Sequence, residues 1–363
     1  MALEPLQQLA RSRVRWRGRE LAYFSGCDYF RLATHPGVLK AVGAGLKKYG
    51  LNVAASRLTT GHHKIYEHLE DHLARFFKAE DALLVSTGYL TGIIVAQALS
   101  GKFSHALMDE RAHPAMLDAA DQLGCPILKF KHRDADDFAK TINRCGKGAR
   151  PIVLTDGMFS HNGSVAPLKA YLKNLPRDGM ILLDDAHGAG VLGKNGRGTP
   201  EYENVSRRQV IQCITLSKAF GVYGGAILAT PALREKILCH SRVFIGSTPL
   251  PLPLANAGLG SLKIFRSRGV ALRRRLFENA GYVKARLEEA GLTIPRTPGP
   301  IIPLTTKSEP ETRALKKRLL AAGIFPPFLK YPGGAAGGYF RFVISSEHSR
   351  SQLDCLVNAL KGS

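Results

Sequence analysis

The chain has 363 residues, 45% of them hydrophobic, and its 51 lysines and arginines outnumber its 29 acidic residues to give a formal net charge of +22. This size fits one large domain with a smaller one, and no apolar run reaches the roughly 18 to 20 residues of a membrane span. Scattered charges near the N-terminus and six dispersed cysteines without a Cys-x-x-Cys pair indicate neither a signal peptide, a disulfide framework nor a zinc ribbon, so we expect a cytoplasmic protein.

After a mostly polar N-terminal segment, apolar residues repeat first at helical spacing and then in short runs that are typical of buried strands. Strands that alternate with helices in this way indicate a parallel α/β sheet. In chain order the pattern predicts helices at 36–50 and 66–78, a strand at 82–85, a helix from Gly88, a strand at 106–108, a helix at 115–122, a strand at 126–130, a helix at 135–142, a strand at 152–155, a helix at 168–175 and strands at 180–184, 210–214 and 225–229.

A proline-rich segment at 249–253 separates this alternating region from the rest of the chain. The pattern then predicts a long amphipathic helix at 254–289, a strand at 301–304, a helix at 309–322, a strand at 339–345 and a helix at 351–361. We therefore expect an N-terminal segment at 1–35, a large domain at 36–253, and a connecting helix with a small α+β domain at 254–363.

The most informative motif is TLSKAFG at 215–221, which places Lys218 between a buried strand and a Gly-rich turn. A lysine amine at that place can form a Schiff base if its setting keeps it partly deprotonated. The strand at 180–184 ends in DDAHG, so Asp184 and His187 emerge at another strand end. Ligands collect at the carboxyl ends of such strands. The combination predicts a pyridoxal-phosphate enzyme, in which the protein tethers the aldehyde, protonates the ring nitrogen and anchors the phosphate.

Each of these features is ordinary when it is taken alone. A lysine after a strand is usually a solvated charge, Asp-Asp at a strand end is often a helix cap, and the Gly88-Tyr89 turn is often a plain helix start. His68 and His72 have a zinc-site spacing, but the glutamate of zinc peptidases does not follow His68, so we predict no metal site. Only the order of the motifs along the chain favours a phosphate-binding turn at Gly88.

The excess of positive charge raises the question of nucleic-acid binding. The basic residues are spread along the chain, with one local cluster at 266–275 and no helix-turn-helix or aromatic RNA-binding signature. We predict neither a specific nucleic-acid partner nor a membrane partner. A positive surface suits anionic substrates, such as a coenzyme A thioester or an acidic acyl carrier protein.

Over nearly the whole chain, the motifs resemble the α-oxoamine synthase family of fold-type-I pyridoxal-phosphate transferases. This family has a mainly parallel central sheet in a large domain and a small α+β C-terminal domain. The resemblance is carried by DAHGAG at 185–190, TLSKAFG at 215–221, TDGMFS at 155–160 with 163–167, SRL at 56–58, DERAH at 109–113, Ser247-Thr248, and Arg341 ahead of 345–348.

The resemblance implies that Lys218 carries the cofactor as a Schiff base, Asp184 pairs with the pyridine nitrogen, His187 contacts the phenolic oxygen and His113 stacks on the ring. It also implies that Arg341 binds the carboxylate of the amino acid substrate through its planar guanidinium fork. Further cofactor contacts are expected from Gly88, Tyr89, Ser160 and Thr215, and, across a homodimer with shared active sites, from Ser247 and Thr248.

The implied reaction joins a small amino acid, alanine in first place, to an acyl-coenzyme A or acyl-carrier-protein thioester with loss of carbon dioxide, giving an α-amino ketone. The family member that serves biotin synthesis is the first choice; glycine- or serine-using members and then a class I/II aminotransferase are the alternatives. A different class, a cofactor-binding protein that has lost catalysis and acts through its basic surface, would not need Lys218, Asp184, His187 and Arg341.

The chain departs from the family pattern at three places. Residues 52–56 replace a Gly-Ser-Gly-Gly-Ser run, and the side chains of Ala54 and Ala55 are thereby added near the substrate mouth. Cys27 stands where asparagine is usual, and Asp156 replaces a glutamate. We therefore expect a reshaped substrate pocket.

Overall fold

The computed structural model describes residues 4–9, 11–330 and 337–361. Its strands are β1 Gln7–Gln8, β2 Arg13–Trp16, β3 Arg19–Ala22, β4 Asp81–Val85, β5 His105–Asp109, β6 Ile127–Phe130, β7 Pro151–Asp156, β8 Met180–Asp184, β9 Val210–Thr215, β10 Gly225–Ala229, β11 Ile301–Leu304, β12 Phe328–Leu329 and β13 Tyr339–Val343. Its helices are α1 Pro36–Tyr49, α2 Lys64–Phe77, α3 Tyr89–Ala98, α4 Pro114–Ala120, α5 Ala135–Arg144, α6 Leu168–Asn174, α7 Thr199–Tyr202, α8 Pro231–His240, α9 Arg242–Gly246, α10 Leu252–Glu289, α11 Glu309–Ala321 and α12 Arg350–Leu360.

The chain divides into two compact units. The central unit comprises residues 35–159 and 165–270, and the terminal unit comprises the described residues of 1–34, 160–164 and 271–363. The functional division of the chain at 36–253 and 254–363 stays a prediction. No helix among the described residues combines the length and the apolar character needed to cross a bilayer.

The central unit contains a seven-stranded sheet of order β4-β10-β9-β8-β7-β5-β6. Strands β5 to β9 pair in parallel with their neighbours, whereas β10 is antiparallel to both β4 and β9. The predicted mainly parallel sheet is therefore confirmed. The exception has a physical reason, since the link from Thr215 to Gly225 is shorter than the stretch of about a dozen residues that a parallel crossover needs.

Two apolar clusters cover the faces of this sheet, which explains why its inner strands are hydrophobic throughout. All residues of β7 and β9 are buried. Along β7, Ile152 and Leu154 belong to one cluster, whereas Val153 belongs to the other. A parallel sheet with helices on both faces buries both sides of its strands in this manner. The rigid sheet fixes the positions of the residues that follow its strand ends.

The terminal unit contains two three-stranded antiparallel sheets, β1-β2-β3 and β11-β13-β12. The first sheet lies in the N-terminal lead, for which the sequence predicted no strands. Its strands are short, and β2 alternates exposed Arg13 and Arg15 with buried Val14, so the apolar signal is weak. The second sheet packs Phe340 and Phe342 into a core with α11 and α12. This sheet carries Arg341.

Candidate active site

The carboxyl ends of the parallel strands lie side by side and form one edge of the central sheet. Strands β5, β7 and β8 end at Asp109, Asp156 and Asp184, and β9 ends at Thr215. In the register of the sheet, Asp156 pairs with Asp184, which in turn pairs with Cys213. The residues that the motifs singled out therefore lie side by side because of strand register. Three carboxylates at one edge also make this end acidic.

Lys218 lies in the tight connection from β9 to β10. The Leu216 N–H donates to the Gly224 carbonyl at 2.9 Å, and the Gly221 N–H donates to the Lys218 carbonyl at 3.0 Å. Thr215 contributes its hydroxyl, which donates to the Gly224 carbonyl at 3.1 Å. These bonds hold the backbone of Lys218 beside the strand ends while its side chain stays partly exposed.

His113 lies within the electrostatic field of both Asp184 and Lys218. Burial is the main cause that lowers the pKa of His113; Lys218 lowers it further, whereas Asp184 raises it. The ring is therefore neutral at pH 7. Its Nδ1 accepts from the Ala115 N–H at 3.2 Å and caps α4, so the proton of the neutral ring lies on Nε2. A neutral imidazole of fixed tautomer suits stacking on a heterocycle.

Asp156 supports His113 from the neighbouring strand. Its Oδ1 accepts from the His113 N–H at 2.9 Å, and the side chain is buried. Burial, followed by the negative charge of Asp184, raises the pKa of Asp156 well above its usual value. Two carboxyl groups this close do not both ionise readily. Asp156 therefore binds a proton more tightly than a free carboxyl group does while it supports the backbone of His113, a role that sequence reasoning did not assign.

Asp185 follows directly after β8, and its side chain is buried. It accepts from the Thr199 N–H at 2.9 Å, from the Thr199 hydroxyl at 2.6 Å and from Gln212 Nε2 at 2.5 Å. Burial raises the pKa of Asp185 to about 7, against the opposing effect of these donors. Three glycines approach its carboxyl so closely that a Cβ atom would overlap with it: Gly157, Gly188 and Gly198.

His187 lies in the turn that begins at Asp184. The Ala186 N–H donates to Asp184 Oδ1 at 3.0 Å, and the Ala189 N–H donates to the Asp185 carbonyl at 2.8 Å. His187 is 6% exposed. The turn therefore carries His187 and Asp184 at the same edge of the sheet, as the motif predicted.

Gly88 and Tyr89 lie at the junction of β4 and α3, next to the end of β9. A Cβ atom on Gly88 would lie 2.7 Å from Thr215 Cβ, so this close approach requires glycine. Tyr89 donates its hydroxyl to Asp118 Oδ2 at 2.5 Å, and its ring meets the edge of His113 at 6.1 Å between centroids. The start of α3 thereby faces the same edge as Lys218, which suits a phosphate group.

Ser247 and Thr248 follow the short helix α9. Ser247 donates its hydroxyl to the Val243 carbonyl at 2.5 Å, and Thr248 is exposed. Both residues border a small cavity whose lining includes Arg57 and Phe244. Their predicted contribution to the site of a partner subunit stays a prediction.

Arg57 has a structural role that the SRL motif did not reveal. Its guanidinium donates to Glu70 through Nη1 at 2.5 Å and Nη2 at 3.1 Å. Glu70 also accepts from the Leu84 N–H at 2.8 Å and from Arg234 at 2.9 Å. Because β4 is an edge strand, this buried ion-pair network satisfies backbone groups that no further strand pairs with.

Arg341 and Ser160 both belong to the terminal unit and contact each other. Arg341 Nη1 donates to the Ser160 carbonyl at 3.2 Å. The Nε of Arg341 is buried and has no hydrogen-bond partner among the described residues. The positive charge of Arg341 also acts on buried Tyr29, next to Cys27, although burial dominates and raises the Tyr29 pKa. A buried donor without an acceptor fits the binding of an anionic group.

The central-unit residues fit pyridoxal phosphate. Lys218 supplies the amine, Asp184 a carboxylate, His113 a neutral ring, and the Gly88 junction the start of a helix. These are the functional groups that a protein provides to this cofactor. Apart from Ser247 and Thr248, the predicted site residues of the central unit lie at the same edge of the sheet: Gly88, Tyr89, His113, Asp184, His187, Thr215 and Lys218.

Comparison with known proteins identifies relatives along almost the entire chain. The sequence profile of the family described as aminotransferase class I and II matches residues 28–360. An 8-amino-7-oxononanoate synthase of Thioalkalivibrio sulfidiphilus is 34% identical over 346 residues, which cover 94% of this chain and 88% of the relative. The 8-amino-7-oxononanoate synthase 1 of Bacillus velezensis is 30% identical over 350 residues, with 96% and 89% covered.

Solved structures share the fold. The serine palmitoyltransferase of Sphingomonas wittichii superposes with a TM-score of 0.92 at 25% identity, covering 98% of this chain and 90% of that chain. The 8-amino-7-oxononanoate synthase of Francisella tularensis has a TM-score of 0.80 at 24% identity, with 93% and 96% covered. The predicted fold and cofactor are confirmed. The chain therefore belongs to the aminotransferase class I and II family and, within it, to the α-oxoamine synthases, which are fold-type-I pyridoxal-phosphate enzymes.

Proposed function

We propose that this enzyme condenses alanine with a pimeloyl thioester and releases carbon dioxide, which is the activity of an 8-amino-7-oxononanoate synthase in biotin synthesis. The observation that carries the proposal is the placement of neutral His113 beside Lys218 and Asp184 at one sheet edge. The named relatives at 30% and 34% identity support the choice of substrates.

Lys218 and Asp184 have complementary tasks in this proposal. Bound pyridoxal phosphate supplies an electron sink for the charge that develops at the Cα atom of the amino acid. The Asp184 carboxylate favours the protonated pyridine nitrogen, because an adjacent negative charge raises the pKa of that nitrogen. The Lys218 amine would hold the cofactor and, as a free amine, would accept the Cα proton of the amino acid.

His113 provides the feature that favours condensation over transamination. Its neutral ring carries a proton on Nε2, since Nδ1 accepts from Ala115. We assign Nε2–H as the donor to the thioester oxygen, where negative charge builds up during attack. Asp156 orients the His113 backbone and is a positioning residue.

Arg341 is the proposed anchor of the substrate carboxylate. Its buried Nε has no acceptor among the described residues, while Nη1 is held by Ser160. A carboxylate would satisfy Nε through a charge-assisted bond. We further propose that the enzyme is a cytoplasmic homodimer, in which Ser247 and Thr248 complete the cofactor site of the partner subunit.

The decisive test offers the purified enzyme one amino acid and one acyl thioester at a time. Alanine, glycine and serine are combined with pimeloyl- and palmitoyl-coenzyme A, and thiol release and carbon dioxide are measured together. We expect equal amounts of both products, at the highest rate with alanine and pimeloyl-coenzyme A. The same panel is repeated with a pimeloyl-carrier protein, which determines the preferred carrier.

Each alternative predicts a different result in this panel. A fold like that of serine palmitoyltransferase makes serine with palmitoyl-coenzyme A the second candidate, and a higher rate with that pair would overturn the choice of substrates. Amino-group transfer to a keto acid without thiol release would identify an aminotransferase. Absence of turnover with every pair, in a protein that binds the cofactor, would favour a binding protein.

A further inference from the structure

A second cavity lies at the opposite edge of the central sheet from Lys218. It encloses about 750 Å³ and is lined by Met180 and Val210, which begin β8 and β9, and by Ala229, which ends β10. Lys218 follows the other end of β9. The two sites are thus separated by the length of a six-residue strand, about 17 Å. Volumes of this size accommodate small organic ligands.

Seven cations line this cavity, against the two acids Glu80 and Asp178. Among the described residues, none of the seven forms a salt bridge with a carboxylate. Six of them lie one to three residues before a strand, so the amino ends of β4, β5, β7, β8 and β9 each bring at least one. The seven are Lys78, Lys102, Arg150, Arg177, Arg207, Arg208 and Lys236.

Arg207 brings a partly buried guanidinium group to this cavity. Its Nη2 donates to the Phe77 carbonyl at the end of α2 at 3.1 Å. Its Nη1 is buried without a hydrogen-bond partner among the described residues. Burial lowers the pKa of Arg207 to about 10, which still leaves the guanidinium charged at pH 7. The negative charges of Asp185 and Glu201 act favourably on this guanidinium, but its Nη1 still lacks an acceptor among the described residues. A buried donor without an acceptor is costly.

Helix α8 adds a further positive contribution. Its N-cap Thr230 and its first-turn residues Ala232 and Leu233 line the cavity. The Thr230 hydroxyl accepts from the Leu233 N–H at 3.2 Å. The positive end of the helix dipole therefore lies at the same cavity, together with the cations that already line it.

The remaining lining is apolar. Leu99 and Leu233 are 7% and 8% exposed and belong to the core beneath the sheet, and Phe103 packs against them. Val210 and Ile211 contribute further apolar surface. Phe103 and Met180 are partly exposed, so they offer apolar surface to a ligand in the cavity. The lining suits a molecule that combines a planar ring with several negative charges.

We propose that this cavity is a second ligand site, distinct from the active site, which binds a nucleoside polyphosphate. The phosphates contact the lysines and arginines and the start of α8, and the base packs on the partly exposed Phe103 and Met180. This inference goes beyond the proposed condensation and does not depend on it.

The test is isothermal titration calorimetry of the holoenzyme with three probes: ATP, adenosine and inorganic tripolyphosphate. We expect ATP to bind with Kd on the order of 10–100 μM in low salt and more weakly as salt screens the charges. Tripolyphosphate, which lacks the base, is expected to bind roughly tenfold more weakly, and adenosine too weakly to measure. Equal affinity of ATP and tripolyphosphate, or of ATP and adenosine, would contradict the site.

A matched pair of double variants distinguishes this site from general attraction to a basic protein. Arg208→Glu/Lys236→Glu reverses two exposed cations of the cavity, and Lys129→Glu/Lys140→Glu reverses two exposed lysines elsewhere in the central unit. The first is expected to weaken ATP binding at least about tenfold and the second by less than about twofold. Equal loss in both variants, or no loss in the first, refutes the proposal.

Two controls keep this result independent of folding and of the active site. Equal thermal midpoints and equal visible absorbance of the bound cofactor would show that both double variants fold. ATP binding is also measured in Lys218→Ala, where we expect the same Kd as in the wild type. A loss of binding in Lys218→Ala would place the nucleotide at the active site instead, and failure of condensation would leave the binding result unaffected.

Discussion

The two ends of the central sheet differ sharply in charge. At the carboxyl end, Asp109, Asp156 and Asp184 terminate neighbouring strands, and Asp185 follows directly. At the amino end, Arg150, Arg177, Arg207 and Arg208 precede the same or adjacent strands. In a chain with a net charge of +22, the catalytic edge is thus a local concentration of acids. The net charge of the whole chain would therefore suggest the wrong sign of charge for this edge.

The difference has a chemical basis. The pyridine nitrogen of the cofactor is cationic when it is protonated, and a carboxylate beside it favours that charged form. Burial raises the pKa of two of these carboxyl groups, those of Asp156 and Asp185, so they bind protons more tightly than exposed carboxyl groups do. At the amino end, no cation that lines the cavity forms a salt bridge with a carboxylate in the part of the chain that the structure describes. The predictions below test this division, beginning with the largest expected effect.

Lys218→Ala should have the largest effect, because it removes the only amine that we assign to the Schiff base. We expect kcat to fall by at least about 10⁴-fold. Borohydride reduction should no longer attach the cofactor covalently, which mass spectrometry can verify. Lys140→Ala, on an exposed position of α5, is the control. Covalent attachment that persists in Lys218→Ala would transfer the role to another lysine.

Asp184→Asn should weaken catalysis by roughly 10²- to 10³-fold, because the amide removes the negative charge beside the ring nitrogen. The measured quantities are kcat and the pH titration of the absorbance of the bound cofactor. Asp121→Asn makes the same chemical change on an exposed residue and should have no effect. If the two variants behaved alike, the acidic end would not be the catalytic one.

Asp185→Ala should act mainly on stability. It deprives Thr199 and Gln212 of their acceptor, at a cost of about 3 kcal/mol in the free energy of unfolding. The folded pKa is raised to about 7 from 3.8, so the contribution of Asp185 is complete below about pH 4 and declines as pH rises through about 7. The cost of the variant should therefore be larger at pH 5 than at pH 8 in urea unfolding. A cost independent of pH would exclude a raised pKa.

The parts of the site that lie on a strand end were predictable from sequence. Lys218 and Asp184 follow apolar runs whose period indicates buried strands, and the topology of a parallel sheet brings such ends together. The support of His113 by Asp156 was not predictable, because it depends on the register of β7 against β8 and on burial. The residue pattern of a single strand reveals neither its register against the next strand nor the burial of a side chain at its end.

Two further features depended on contacts between distant segments. The N-terminal sheet consists of strands of two to four residues, too short for a clear alternation of apolar and polar residues. The basic cavity draws one or two cations from each of several loops, so no local cluster in the sequence marks it. The cluster at 266–275 was more conspicuous in sequence, yet the cavity lining does not include it.

Asp156→Asn should have the smallest effect on catalysis and the most informative pH dependence. If Asp156 is already protonated, an amide is its neutral isostere, and its Oδ1 can still accept from the His113 N–H. We expect kcat to stay within about fivefold of the wild type, whereas Asp156→Ala leaves that buried N–H without an acceptor and costs about 1–3 kcal/mol in unfolding. Measurements of kcat and of thermal midpoints for both variants test this difference.

The sign of the pH effect follows from the raised pKa of Asp156. Its stabilising contribution is complete below the unfolded pKa of about 4 and is lost as pH rises through the folded value. Asp156→Asn cannot lose a proton, so its midpoint should approach and then exceed that of the wild type as pH increases. An amide variant as inactive as Asp184→Asn would mean that Asp156 acts as a charged carboxylate, which would contradict its raised pKa.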